Sequence, residues 1–164
     1  MATESHPKNR TIETSIFINA PLSEVRSTLF DFKSYPSWAR YIHKIEPQGT
    51  AATSTLAIGQ KLVVMMDGAS TKPIITTLPV VHVDKNGFAW EGKLVSNLMF
   101  AGKHMFLLSD EGNGKTKLRH REEFSGILYL PLFVWSGWEA KSRVSFRAFN
   151  ESIKAKVEQR DAEL

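Results

Sequence analysis

The fold of this chain is decided near its C-terminus, where residues 135 to 158 read WSGWEAKSRVSFRAFNESIKAKVE. Apolar and small residues recur there in steps of three and four, as on one face of an α-helix, and they are Trp135, Trp138, Ser142, Phe146, Phe149, Ile153 and Val157. The opposite face is charged, with Arg147 and Glu151 spaced for an ion pair along the helix. This pattern predicts one long amphipathic helix over about residues 134–160. At 1.5 Å per residue, a helix of about 25 residues would be roughly 38 Å long, enough to cross a whole sheet.

The middle of the chain has the pattern of antiparallel strands. Its segments are rich in β-branched and aromatic residues, and Asp-Gly, Asn-Gly and Gly-Asn-Gly sequences separate most of them. We predict strands at Gln60–Asp67, Pro73–Asp84, Gly87–Leu94, Lys103–Ser109 and Lys115–Ser125, joined as hairpins. The pattern does not show which faces of the first two strands point inward.

A strand and a helical region precede these hairpins. Residues 11–19 alternate in polarity and predict a strand, and Pro21 suits the first turn of a helix. That helix has an apolar stripe made of Leu22, Val25, Leu29 and Phe32. Pro36 interrupts it, and Ser37–Ile42 is expected to form a short second helix or turn. Because a sheet with one apolar face needs a cover, we predict an α+β fold in which a curved antiparallel sheet wraps the C-terminal helix around an internal cavity.

Composition limits the classes of function. The 164 residues are 42% hydrophobic and 23% charged, which is typical of one globular domain, and we place it at residues 10–160 between polar tails at 1–9 and 161–164. Cysteine is absent, which excludes disulfides, thiolate metal ligands and cysteine nucleophiles. The net charge of +4 is spread along the chain, so we expect a solvated surface rather than nucleic-acid binding. Without a signal sequence or an apolar run long enough for a membrane span, the expected location is cytoplasmic.

Residues 15–42, SIFINAPLSEVRSTLFDFKSYPSWARYI, resemble the opening of the SRPBCC superfamily of helix-grip proteins. That superfamily includes polyketide cyclases and aromatases, lipid-transfer START domains and the birch-pollen-allergen group. Further matching features follow in the same order, namely Ile58-Gly59, Trp90, the segment 122–126 and the ending Phe149-Asn150-x-x-Ile153-Lys154-x-x-x-Glu158. The resemblance implies a helix-grip fold around a hydrophobic cavity. It implies no single function, because carriers, receptors and enzymes share the scaffold.

A candidate catalytic group lies in residues 115–124, KTKLRHREEF. One face of the predicted strand carries Leu118, His120, Glu122 and Phe124. In a helix-grip fold this face looks inward, so His120 and Glu122 are expected to point at the cavity, and His104 on the neighbouring strand is expected to join them. Two histidines and a carboxylate can serve as acid and base near neutral pH. They can equally be a structural carboxylate and satisfied core histidines; no metal or other cofactor is expected.

Other residues are expected to contact a ligand. Aromatic residues that core and cavity would share are Phe88, Trp90, Phe106, Phe124, Trp138 and Phe146. Ser142 is expected to line the cavity, unless the helix merely tolerates a small residue there. The cavity entrance is assigned to Tyr35, Trp38 and Tyr41. The apolar stretch Asn97–Gly102, with Met99 and Phe100, is expected to be a lid or to pack against the end of the C-terminal helix.

Two functions fit these features about equally. The first is a cofactor-free enzyme that cyclises, dehydrates or isomerises a hydrophobic, oxygenated molecule of polyketide or terpenoid type. Its cavity would fold the substrate while His120, Glu122 and His104 move protons or polarise a carbonyl. The second is a non-catalytic carrier or sensor of a lipid, sterol or aromatic compound, with the same residues anchoring its polar end. The ionisable residues favour the enzyme slightly. A regulatory module with a basic binding surface is a third class.

Overall fold

The computed structural model describes residues 10–49, 55–68, 71–94, 96–129, 131 and 135–161. The strands are β1 (Thr11–Ile18), β2 (Ile42–Pro47), β3 (Lys61–Asp67), β4 (Pro73–Asp84), β5 (Gly87–Leu94), β6 (Phe100–Gly112) and β7 (Lys115–Ser125). The helices are α1 (Leu22–Phe30), α2 (Tyr35–Trp38) and α3 (Trp138–Asp161), with a 3-10 turn at Phe32–Ser34. The predicted N-terminal tail at 1–9 lies outside the described residues, as do residues 162–164 of the predicted C-terminal tail.

The strands form one antiparallel sheet in the order β1-β7-β6-β5-β4-β3-β2. Hairpins connect β2 to β7 in sequence, whereas α1 and α2 lead from one edge strand, β1, to the other edge strand, β2. The sheet curves around α3, which packs against β1 and α1. The predicted α+β helix-grip fold is confirmed.

The inward face of α3 supplies the apolar centre of the fold. Its buried residues are Phe146, Phe149, Ile153 and Val157, as the spacing of the sequence predicts. The prediction is wrong for Trp135, which precedes α3 and is 76% exposed. Gly137 lies between Trp135 and the start of α3 and has a φ of 75°. This left-handed conformation prevents the helix from extending back to residue 134.

Most strand predictions are confirmed, and the differences lie at the ends of β3 and β6. β4, β5 and β7 have the predicted bounds, and β3 begins one residue later, at Lys61. β6 is longer than Lys103–Ser109 because it pairs on both sides, with Phe100 opposite Leu94 of β5 and Ala101 opposite Ser125 of β7. Hydrogen bonds to a neighbour on each side can extend a strand into residues that have a low preference for strand structure.

The region after α1 differs from the prediction. The helical segment ends at Trp38, and Ile42, expected to end it, instead begins β2, a strand that the sequence analysis missed. Tyr41 turns the chain between the two with a φ of 73°. β2 is short, carries charged residues and ends at Pro47, so its own pattern is too weak to indicate a strand. On β3 and β4, the inward residues are Leu62, Val64, Met66, Leu78 and Val80.

Candidate functional site

A cleft of about 540 Å³ lies between the sheet and the start of α3. Its walls come from β3 to β7, from Tyr41 and from the first two turns of α3. The volume is within the usual range of small-molecule sites, roughly 300 to 1,000 Å³. The cleft is therefore large enough for a compact organic ligand.

Strand register places an aromatic ring, a histidine and a carboxylate side by side across the cleft wall. Trp90 on β5 is the partner of His104 on β6, and His104 is the partner of Glu122 on β7. The His104 ring stacks on Trp90 with 5.0 Å between ring centroids. His104 Nδ1 lies 3.6 Å from Glu122 Oε2, and the two side chains are only 3% and 19% exposed. This acid–base pair faces a mainly apolar space.

His120 lies behind this pair rather than at the cleft wall. It is fully buried, and its ring stacks on Phe146 with 4.0 Å between centroids. Its Nε2 is 2.6 Å from His104 Nε2, and its Nδ1 is 3.2 Å from Asn150 Oδ1 on α3. Burial, and next the neighbouring His104, hold the pKa of His120 well below its ordinary value. His120 is therefore a neutral ring that reaches the cleft only through His104.

Tyr41, expected at an entrance, lies in the cleft wall beside His104, with 6.3 Å between ring centroids. The hydrogen bond of its hydroxyl within the described part of the chain goes to Met66 Sδ at 3.6 Å. Burial raises the pKa of Tyr41 well above its ordinary value, and the charges of Glu122 and Asp67 raise it further. The phenol therefore stays protonated and can donate a hydrogen bond to a ligand. Its left-handed backbone, a conformation found often at functional sites, has no signal in the sequence.

Gly102 makes room for the carboxylate. It lines the cleft on β6, opposite Phe124 of β7. A Cβ atom at this position would lie 2.8 Å from Glu122 Oε1, closer than an ordinary contact. Sequence reasoning did not single out this residue, although a glycine inside a strand is a recognised sign of close approach by another group.

The structure brings part of the predicted ligand-contact set to the cleft. Besides Tyr41, His104 and Glu122, the cleft is lined by Trp90, Phe100, Phe124, Trp138 and Ser142. Phe88, Phe106 and Phe146 are fully buried in the core. Tyr35 and Trp38 pack on Phe149, at ring centroid distances of 5.9 and 5.8 Å.

The expected lid over Asn97–Gly102 is a loop only in its first half. Phe100 begins β6, and the residues from Phe100 to Gly102 pair with β5. The preceding turn at 97–99 leaves Met99 half-buried. The assignment as a loop failed from Phe100 onward because pairing with β5 and β7 outweighs the low strand preference of Ala101 and Gly102.

Neither a metal site nor a membrane span is found in the described ranges. No group of three or more acidic or histidine side chains in that part of the chain is arranged to hold a metal ion. Among the described helices, none is both long and apolar enough to cross a membrane.

A curved antiparallel sheet around a C-terminal helix, with a ligand-sized cleft between them, defines the helix-grip class of small-molecule-binding domains. Within it, the chain belongs to the family described as polyketide cyclase/dehydrase and lipid transport, whose model matches residues 9–158. No curated protein matches the chain.

Solved structures share the fold at low sequence identity. The Zhui aromatase/cyclase from Streptomyces sp. R1128 is 17% identical with a TM-score of 0.71, over 92% of this chain and 94% of that one. A START superfamily protein from Mycobacterium smegmatis is 14% identical with a TM-score of 0.65, over 91% and 97% of the two chains. Norcoclaurine synthase from Thalictrum flavum is 12% identical with a TM-score of 0.64, over 92% and 95%. At these identities the likeness concerns the fold alone.

Proposed function

We propose that this protein is a cofactor-free enzyme that binds a hydrophobic, oxygenated small molecule of polyketide or terpenoid type and promotes its cyclisation, dehydration or isomerisation. The observation that carries this proposal is the acid–base pair at the cleft wall, in which Glu122 Oε2 lies 3.6 Å from His104 Nδ1. A carboxylate and an imidazole held together with little exposure to solvent are suited to general acid–base catalysis.

Tyr41 completes the chemistry by polarising a substrate carbonyl. Its protonated hydroxyl donates a hydrogen bond to the carbonyl oxygen while the Glu122–His104 pair removes a proton from the adjacent carbon. The electron pair of the C–H bond forms the enolate double bond, and the carbonyl π pair moves to the oxygen that Tyr41 stabilises. The pair then returns the proton to the same carbon or to another one, and the second case is isomerisation.

The same enolate leads to the other two reactions. If it attacks a second carbonyl of the same molecule, a carbon–carbon bond closes a ring and the attacked oxygen takes up the proton. Loss of that hydroxyl with a neighbouring proton then releases water. The apolar walls, including Trp90, Phe100, Phe124 and Trp138, favour ring closure because they hold a flexible carbon chain in a folded conformation.

The proposal is tested with a simple ketone, because a small aromatic carbonyl compound fits the cleft and needs no knowledge of the natural substrate. The probe is 2-tetralone, whose C1 protons exchange for deuterium in D₂O through the enolate. The exchange rate is followed by proton NMR with and without protein, and binding is followed separately by the shifts of protein amide signals. We expect exchange to accelerate and to saturate with increasing 2-tetralone concentration.

Variants assign that rate to the acid–base pair. Glu122→Gln keeps the shape of the side chain but removes its charge, and we expect at least a tenfold loss of exchange, since one acid–base group contributes about 100-fold or more. The matched control is Arg119→Gln on the opposite face of β7, which should leave the rate unchanged. An equal loss in both variants would contradict the proposal.

The alternative function is non-catalytic carriage of a lipid, sterol or aromatic compound. One observation favours it: both ring nitrogens of His104 already face protein groups, Glu122 and His120, as expected of a histidine with a structural role rather than one that exchanges protons with a ligand. Saturable binding of 2-tetralone without faster exchange would support the carrier and contradict the enzyme.

A further inference from the structure

The buried histidine behind the acid–base pair has no direct route to a ligand. His120 is completely buried, and its two ring nitrogens face His104 on one side and Asn150 on the other. Asn150 is itself 2% exposed and its Nδ2 donates to Thr14 Oγ1 at 3.1 Å. A continuous row of polar contacts therefore runs from Glu122 at the cleft to α3 and β1.

The direction of the hydrogen bonds along this row follows from the side-chain amide of Asn150, which contacts both Thr14 and His120. Because Asn150 uses its Nδ2 on Thr14, its Oδ1 faces His120, and an oxygen of this kind only accepts. A hydrogen bond with the backbone of Phe146 likewise favours a proton on His120, so that backbone group is also an acceptor. His120 therefore carries its proton on Nδ1, the nitrogen that faces Asn150.

The tautomer of His120 then determines that of His104. Burial keeps the pKa of His120 well below its ordinary value, so the ring is neutral and has one N–H group. With that proton on Nδ1, its Nε2 is a bare acceptor. The two Nε2 atoms are 2.6 Å apart, so the proton between them belongs to His104.

We infer that His120, held by Asn150, is a positioning residue that fixes the proton of His104 on Nε2 and leaves His104 Nδ1, beside Glu122, as the nitrogen that exchanges protons in the cleft. His104 Nδ1 and Glu122 Oε2 are then two proton acceptors 3.6 Å apart at the cleft wall, and either can take up a proton from a bound ligand. Tyr41 is the ionisable group whose ring lies next to His104 in the cleft wall, and Asp67, Glu91, Lys93 and Lys141 also line the cleft. Only the catalytic use of this arrangement rests on the proposed function.

The arrangement is tested by NMR on the intact, ¹⁵N-labelled protein. Long-range proton–nitrogen spectra distinguish a protonated ring nitrogen from a bare one and so give the tautomer of each histidine directly. We expect protonated Nδ1 and bare Nε2 on His120, and protonated Nε2 on His104. The reverse pattern on His120 would overturn the inference, and this measurement needs neither a variant nor a substrate.

A variant then tests whether His120 controls His104. His120→Phe keeps a flat ring against Phe146 but removes the acceptor for His104 Nε2–H, so the proton of His104 should move to Nδ1, where the carboxylate accepts it. Deuterium exchange of 2-tetralone should fall at least tenfold, although residue 120 does not line the cleft. The control is Thr28→Val, which removes a buried hydroxyl that has no hydrogen-bond partner in the described part of the chain and should change neither quantity.

The outcomes separate this inference from the proposed function. An unchanged His104 tautomer in His120→Phe would overturn the positioning role. A changed tautomer without any change in the exchange rate would leave the positioning role intact and contradict the use of His104 Nδ1 in catalysis.

Discussion

A single methyl group at Gly102 should separate the acid–base pair without removing any functional group. In Gly102→Ala, the new Cβ would lie 2.8 Å from Glu122 Oε1, while its contacts with the Phe124 ring would be an ordinary 3.5 Å. To reach an ordinary contact of 3.4 Å, the carboxylate oxygen must retreat by at least 0.6 Å. The strain is therefore relieved by the Glu122 side chain, whose other oxygen faces His104.

The size of the effect follows from this displacement. A misplacement of about 1 Å in a catalytic group can lower a rate about 100-fold, so we expect Gly102→Ala to slow exchange about 10- to 100-fold. That loss corresponds to about 1.4 to 2.7 kcal/mol of transition-state stabilisation. Stability should change little, because the roughly 0.4 to 1 kcal/mol gained by restricting the unfolded chain offsets the cost of moving the carboxylate.

The assay is deuterium exchange of 2-tetralone, with thermal unfolding measured on the same preparations. The matched control is Gly92→Ala in the same cleft, where the new Cβ would meet only the flexible end of Leu78, at 3.2 Å. We expect that control to stay within about twofold of the wild-type rate. A wild-type rate in Gly102→Ala would refute the requirement for this placement of Glu122. An equal loss in Gly92→Ala would instead assign the effect to cleft volume.

Three other predictions concern the cleft and the buried histidine. Burial beside a second histidine keeps the pKa of His120 low in the folded protein. Below about pH 6.5 the unfolded chain therefore binds a proton at this residue that the folded protein does not bind. The free energy of unfolding should consequently fall by roughly 1 kcal/mol for each unit of decreasing pH. In urea unfolding between pH 5 and 7, His120→Phe should flatten this slope, whereas the exposed-side-chain variant His82→Gln should keep it. Tyr41→Phe removes the carbonyl donor and should lower exchange at least tenfold with 2-tetralone binding retained; a wild-type rate would exclude Tyr41 from the mechanism. Ser142→Trp should fill the cleft and abolish binding of an apolar fluorescent probe, with the protein still folded. The control Val144→Trp, on the exposed face of α3, should leave binding unchanged. Unchanged affinity in Ser142→Trp would mean that the probe binds elsewhere.

Local patterns of the sequence were enough to predict most of the strands and helices, and the inward faces of α3 and β7. The spacing of Phe146, Phe149 and Ile153 predicts the buried face of α3, because side chains three and four apart lie on one side of a helix. Alternation along residues 115–124 places Glu122 on the inward face of β7 in the same way. These features depend only on neighbours along the chain, so they can be read without knowledge of the fold.

The depth of each inward side chain was decided by the tertiary structure. His120 and Glu122 share one face of β7, yet Phe146 of α3 covers His120 while Glu122 reaches the cleft. Strand alternation separates inside from outside, but it does not say where α3 crosses the sheet. The same is true of the aromatic residues, since Phe88 is buried in the core while Trp90, two residues along the same strand, lines the cleft.

The pairing of functional groups also required the assembled sheet. Strand register, set by hairpins far from the site, brings His104 beside Glu122, and the left-handed turn at Tyr41 brings a phenol to the same wall. The sequence by itself determined most of the strands and helices and the apolar faces of α3 and β7, because those properties arise from neighbouring residues. Only the tertiary structure decided which inward groups meet and which of them a ligand can touch, because those contacts join residues that are distant along the chain.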